Sequence, residues 1–205
     1  YRYTVYIPTN ESVREAINNG LPTWTKISEY IAGKQEVLKA HENEWSDEEV
    51  AAFTDDYKQK AQAMVTCLLN FVKYHFQDNS VFVDNNPIET TAYETACINN
   101  VTNRYITLEV SSANGKSLDV KDKDGNTRHV ITEEGQERNY NMLTRDMEFD
   151  AAKDNSKTIS TSSFAVLHRI DGVLNFMELN GSRYDTEWQD AAGAKKFVAK
   201  YRIRK

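Results

Sequence analysis

The spacing of apolar positions changes twice along this chain, from two residues to about 3.6 and back to two. Residues 164–174, Phe-Ala-Val-Leu-His-Arg-Ile-Asp-Gly-Val-Leu, are its densest apolar run. Alternation puts Phe164, Val166, His168 and Ile170 on one face and Ala165, Leu167 and Arg169 on the other. This predicts a strand buried on one side, largely covered on the other and near the middle of a sheet. Asp171-Gly172 then supplies a tight turn or bend. At the other end, residues 3–7 alternate with Tyr3, Val5 and Ile7 on one face, and Pro8 closes the strand by removing a ladder donor.

Helical spacing begins next. Thr9 or Asn10 can cap a short helix carrying Val13, Ala16 and Ile17, which Gly20 stops. Trp24, Ile27 and Ile31 lie on a second helical face, with Gly33 as its expected terminator. Ser46 and Glu49 form a capping box. After it, Val50, Phe53, Tyr57, Ala61, Met64, Val65, Leu68, Phe71 and Val72 recur at helical spacing, with Thr54 as the one place where the helix could break. Its cationic last turn, residues 73–76, suits the negative end of the helix dipole.

Period two returns at residues 80–84, with Val81 and Val83 facing one way. At residues 105–110, Tyr105, Thr107 and Glu109 oppose Ile106, Leu108 and Val110. Residues 118–121 and 127–131 flank an Asp124-Gly125 hairpin turn. Tyr140, Met142, Leu143 and Phe149 are further apolar positions; residues 150–157 read as an exposed loop and 196–203 as a last strand. Helices in the first third and strands afterwards predict an α+β domain, without an internal repeat.

Composition narrows the function classes more than it names one. With 205 residues, 40% hydrophobic and 27% charged, the chain can build a real core. Its net charge of -6 argues against nucleic acid as the main partner. The basic run Lys195, Lys196, Lys200, Arg202, Arg204 and Lys205 reads as a solvated strand or tail. Two cysteines, Cys67 and Cys97, are too few for a disulfide scaffold, although one bridge is open to them. No apolar run approaches a membrane span.

Catalytic chemistry finds little support. Phosphate-loop, dinucleotide and nucleophile-elbow motifs are absent. His41, His75, His129 and His168 lack metal-ligand spacing. Asp119, Asp122 and Asp124 miss the calcium-loop pattern and fit a surface hairpin better. Neither a metal nor a cofactor is expected. A neutral imidazole within the apolar run needs a hydrogen-bond partner, so His168 reads as a core histidine, and His75 as a clamp from the helix end to the sheet. Trp24, Trp45 and Trp188 suit sugar stacking or a protein interface when exposed, although tryptophan is more often packed into a core. Asn10, Asn100 and Asn180 begin glycosylation sequons.

Three pieces in order point to one family. Thr4-Val5-Tyr6-Ile7-Pro8-Thr9-Asn10 resembles the first signature of fasciclin domains, Tyr74-His75 their central Tyr-His pair, and Val166-Leu167-His168-Arg169-Ile170-Asp171-Gly172-Val173-Leu174 their closing signature. The resemblance covers residues 1 to about 176. It implies one fasciclin-like domain over 1–205, with signatures at 3–13, 74–75 and 164–174, a helical insertion at about 18–65 and an extension at about 177–205. A wedge of mixed or antiparallel sheets with helices packed to one side is the implied fold.

The resemblance also implies a non-enzymatic adhesion module. Its partner would be an extracellular protein or a polysaccharide, with Tyr74, His75, His168, Asp171, Trp24, Trp45 and Trp188 as candidate contacts. The expected setting is a bacterial cell surface, reached as an outer-membrane lipoprotein through an anchor upstream of Tyr1. Departures are Phe164-Ala165 where Asn-Gly often precedes the closing signature, Asn175-Phe176 where Leu-Pro follows it, a longer helical section, and no helices before the first signature. Either such helices were cut away, or the extra helices of residues 21–45 cover that part of the core. A secreted glycan-active enzyme and a structural spacer remain the alternatives.

Overall fold

The computed structural model describes residues 2–99, 102–133, 135, 138–143 and 164–175, with Phe164 in its backbone only. They form an α+β fold of three helices and a mixed eight-stranded sheet. In chain order these are β1 (Arg2–Pro8), α1 (Asn10–Asn18), α2 (Trp24–Ala40), α3 (Asp47–Tyr74), β2 (Phe76–Asp78), β3 (Ile88–Asn99), β4 (Arg104–Ser112), β5 (Asp119–Lys121), β6 (Thr127–His129), β7 (Met142–Leu143) and β8 (Phe164–Ile170). Two compact units divide the described residues, one from 1–13, 73–98 and 104–176, the other from 14–72 and 99–103.

The first unit holds the sheet, in the order β6-β5-β4-β3-β2-β1-β8-β7. β1 and β8 run parallel, in register from Arg2 opposite Phe164 to Pro8 opposite Ile170. β2 flanks β1 antiparallel on the other side. The sheet curls until Val130, just after β6, bridges Ile170 at the end of β8. Ile131 N–H donates to Arg169 O and Asp171 N–H to His129 O beside that bridge. Tyr6, Tyr74, Leu108, Leu118, Val120, Ile170 and Leu174 fill the enclosed core. Burying each such side chain contributes about 1.5–3 kcal/mol.

Strand faces follow side-chain satisfaction as well as hydrophobicity. β4 buries Ile106, Leu108 and Val110, as alternation predicts. β1 turns Thr4 and Tyr6 inward and leaves Ile7 exposed, so its buried face is opposite to the Tyr3, Val5, Ile7 set. The polar atoms on the buried face are matched. Thr4 Oγ1 donates to Asn79 O at 2.7 Å and accepts from Val81 N–H at 2.9 Å, and the Tyr6 hydroxyl donates to Gln77 Oε1 at 2.8 Å. Matched polar groups can be buried without the penalty of orphaned ones.

Residues 80–84 are not a strand. Val81 and Val83 give their N–H groups to the side chains of Thr4 and Asn141 instead of a ladder, and Asn85 takes a left-handed φ of 67°. The period-two reading also passes over β2 and β3, whose inward positions include the polar Gln77 and Thr95. β8 lies next to the sheet edge, not near its middle: β7 pairs through two residues on its outer side. Even so, Val166, His168 and Ile170 are fully buried.

In the second unit, α2 passes through Gly33 to Ala40, and α3 is unbroken at Thr54. Stacking of rings explains both departures, because it holds the helices where propensity is weak. Tyr30 stacks on Tyr57 with centroids 4.1 Å apart, Tyr57 meets Phe53 at 5.3 Å, and Phe53 meets Trp45 at 5.0 Å. Trp45 stacks in turn on His41 at 4.3 Å, and the Tyr57 hydroxyl donates to Tyr30 O. The capping box forms as expected: Ser46 N–H donates to Glu49 Oε2 at 2.8 Å and Glu49 N–H to Ser46 Oγ at 3.3 Å.

Candidate functional site

The three signature segments meet in the first unit. β1 lies between β2, which follows Tyr74-His75, and β8, which carries the closing signature. Backbone and ring bonds join them: Tyr6 N–H donates to His75 O at 3.0 Å, Thr9 N–H to Ile170 O at 3.2 Å, and Leu174 N–H to His75 Nε2 at 3.1 Å. His75 therefore clamps the end of α3 to β1 through its carbonyl and to the segment after β8 through its ring.

His168 ties separate segments together inside the core. Its Nδ1 accepts from Asn141 N–H at 3.3 Å, so the ring proton sits on Nε2, which donates to Val81 O at 2.9 Å. Burial pushes its pKa down to about 4, leaving the ring neutral. Asn141 completes this contact with both groups of Val83, accepting its N–H at 3.0 Å and donating to its carbonyl at 2.7 Å. A left-handed φ of 51°, which asparagine tolerates, sets Asn141 in place.

Tyr74 is fully buried, and its hydroxyl donates to Thr107 O at 3.3 Å while accepting from Lys123 N–H at 3.1 Å. Burial pushes its phenol well above the ordinary tyrosine range. Asp171 is exposed, yet its Oδ1 accepts from His129 N–H at 2.9 Å and so fastens β8 to β6. Tyr74, His75 and His168 thus build the core as they stand.

The tryptophans separate. Trp24 is 65% exposed at the start of α2, contrary to the core-anchor reading, because the inward position on this face is taken by Ile27. Trp45 is half-buried in the ring ladder. Trp188 lies outside the described residues, as do the expected loop at 150–157 and strand at 196–203.

A surface depression of about 200 Å³ opens beside the buried Tyr74 hydroxyl, lined by Thr107, Glu109, Lys121, Asp122, Lys123 and Gly125. Two of these residues hydrogen-bond that hydroxyl through their backbones. Lys121 Nζ pairs with Glu109 Oε2 at 3.2 Å on the rim, where both are solvated and the pair contributes little to stability. The depression is smaller and more polar than the clefts of about 300–1,000 Å³ that usually enclose small molecules. Of the aspartate cluster, Asp119 turns outward to His129 Nδ1 at 2.7 Å, and Asp122 turns inward to Asn126 and to Asn175 N–H. Among the described residues no group of three or more His, Cys, Asp or Glu is placed to hold a metal ion. Cys67 and Cys97 are free and buried, and burial pushes their thiols up to about 12 and about 11.

Sequence reasoning singled out Tyr74, His75, His168 and Asp171 but passed over Arg128, Lys121 and Lys123. Only Asp122 carried a signal, through its place in the aspartate cluster. No protein-family model, curated protein or solved structure matches the chain. Among the described residues no helix is long and apolar enough to cross a membrane.

Proposed function

We propose that this chain is a fasciclin-like extracellular binding module that contacts a protein or polysaccharide at a cell surface without turning it over. The observation that carries this reading is the convergence of the three resembling segments, with β1 in parallel register with β8 and His75 bonded to both Tyr6 and Leu174. Segments far apart in sequence that assemble into one structural unit are what a shared domain signature entails. In this reading the fold is the wedge of that family.

Contact falls to surface features, since Tyr74, His75 and His168 are occupied in the core. Trp24 offers an exposed ring, and the depression beside Tyr74 offers mixed charge. The test is a binding screen of the purified chain against extracellular matrix proteins and polysaccharides, with parallel analysis of products. Saturable binding that Trp24→Ala or Lys121→Ala weakens, with folding intact, is the expected outcome. Sustained product release from any glycan would overturn the proposal in favour of an enzyme, and absence of binding throughout the screen would overturn it in favour of a spacer.

A further inference from the structure

Each of the three residues after Gly172 is gripped by a side chain from another part of the first unit. Arg128 Nε donates to Val173 O at 3.0 Å, Leu174 N–H donates to His75 Nε2 at 3.1 Å, and Asn175 N–H donates to Asp122 Oδ2 at 3.0 Å. All three residues are buried and lie outside any strand. Just before them, β8 is held by seven in-register positions along β1. Attachment thus changes within a few residues from a backbone ladder to side chains, one of them an imidazole that accepts through a ring nitrogen.

We propose that this is a proton-sensitive clamp: acidification frees the Leu174 amide while the sheet remains folded. An imidazole nitrogen accepts an N–H only when it carries no proton. Protonated Nε2 would face Leu174 N–H donor to donor, and a buried donor would be left unmatched. The Asp122 side chain, which holds Asn175 N–H, also accepts from Asn126 N–H at 2.8 Å. Arg128 keeps its charge throughout and retains Val173, which becomes the pivot.

The charged and titratable groups around the clamp come from several elements. Asp122 and Arg128 belong to the β5–β6 hairpin, and Tyr74 precedes His75 at the end of α3. Asp124 and Cys97 act on the Tyr74 phenol, and Asp171 stands at the end of β8. Tyr74 and Cys97 stay neutral at and below neutral pH because burial raises both, so neither competes with His75 in mild acid.

Amide exchange followed by NMR from about pH 7.5 to about pH 5.5, corrected for intrinsic rates, tests the clamp. Protection of the Leu174 amide should fall about tenfold more than that of Val166 and His168, since each pH unit below an imidazole's pKa lowers its neutral fraction about tenfold. His75→Gln, whose amide oxygen can accept without titrating, should make Leu174 protection independent of pH. Leu174 protection that follows the β8 amides throughout, or pH dependence that survives in a folded His75→Gln, would overturn the proposal. Should that variant fail to fold, the ring nitrogens of wild-type His75 decide the matter. Nε2 must gain its proton over the interval in which Leu174 loses protection, and titration elsewhere rejects the clamp.

Discussion

His75 Nε2 accepts the backbone N–H of Leu174, ninety-nine residues further along the chain, at 3.1 Å. This bond joins the end of the longest helix to the exit of the closing strand. It is a tertiary contact that neither segment could form locally, and it sets the geometry on which several expectations depend.

Acid should destabilise the fold through His168. Its folded pKa is pushed down from 6.5 to about 4, so the unfolded chain takes up this proton first as the pH falls. The stability contribution is complete above about pH 6.5 and is lost progressively toward pH 4, amounting to about 3 kcal/mol. Urea unfolding across this window should have a smaller pH slope in His168→Gln than in wild type. An unchanged slope would assign the acid sensitivity to other groups.

His168→Ala should cost about 2–4 kcal/mol at neutral pH, because Val81 O and Asn141 N–H lose their buried partner and a cavity is left. Denaturant midpoints measure this. A loss below about 1 kcal/mol would mean that water or rearrangement replaces both bonds.

Gly115 permits no side chain. Its φ is +73°, and an added Cβ would lie 2.1 Å from the carbonyl carbon of Asn85, which is backbone and cannot swing aside. Gly115→Ala should therefore cost more than about 3 kcal/mol and detach the loop whose Asn85 N–H donates to Gly115 O. Thermal unfolding reads the loss, and wild-type stability in this variant would contradict the packing described.

Gly172 is constrained by a neighbour. A Cβ there would come within 2.7 Å of Arg128 Nε, the atom that donates to Val173 O. Gly172→Ala should push the guanidinium away at a cost of about 1–2 kcal/mol. A double-mutant cycle with Arg128→Ala should be non-additive, the second substitution costing little after the first. Simple additivity would show that the two positions act separately.

Ser46→Ala should remove about 1 kcal/mol by opening the capping box at the start of α3. Helix content and unfolding midpoints measure the effect, with Ser46→Asp expected to restore most of it.

Local signals in the sequence were sufficient for the helix starts, the faces of β4 and β8 and the Asp124-Gly125 hairpin. Each depends on periodicity or on hydrogen bonds between residues a few positions apart, and the capping box at Ser46 and Glu49 is the plainest instance. The tertiary structure decided the inward face of β1, the continuity of α2 through Gly33 and the irregular path of residues 80–84. In these cases the deciding partner is remote in sequence. Thr4 is accepted into the core because Asn79 and Val81 bond its hydroxyl, and Val83 leaves the ladder because Asn141 offers both an acceptor and a donor. Periodicity registers hydrophobicity but not which distant group will satisfy a buried polar atom, so Arg128, His75 and Asp122 become a set only when the fold brings Val173, Leu174 and Asn175 between them.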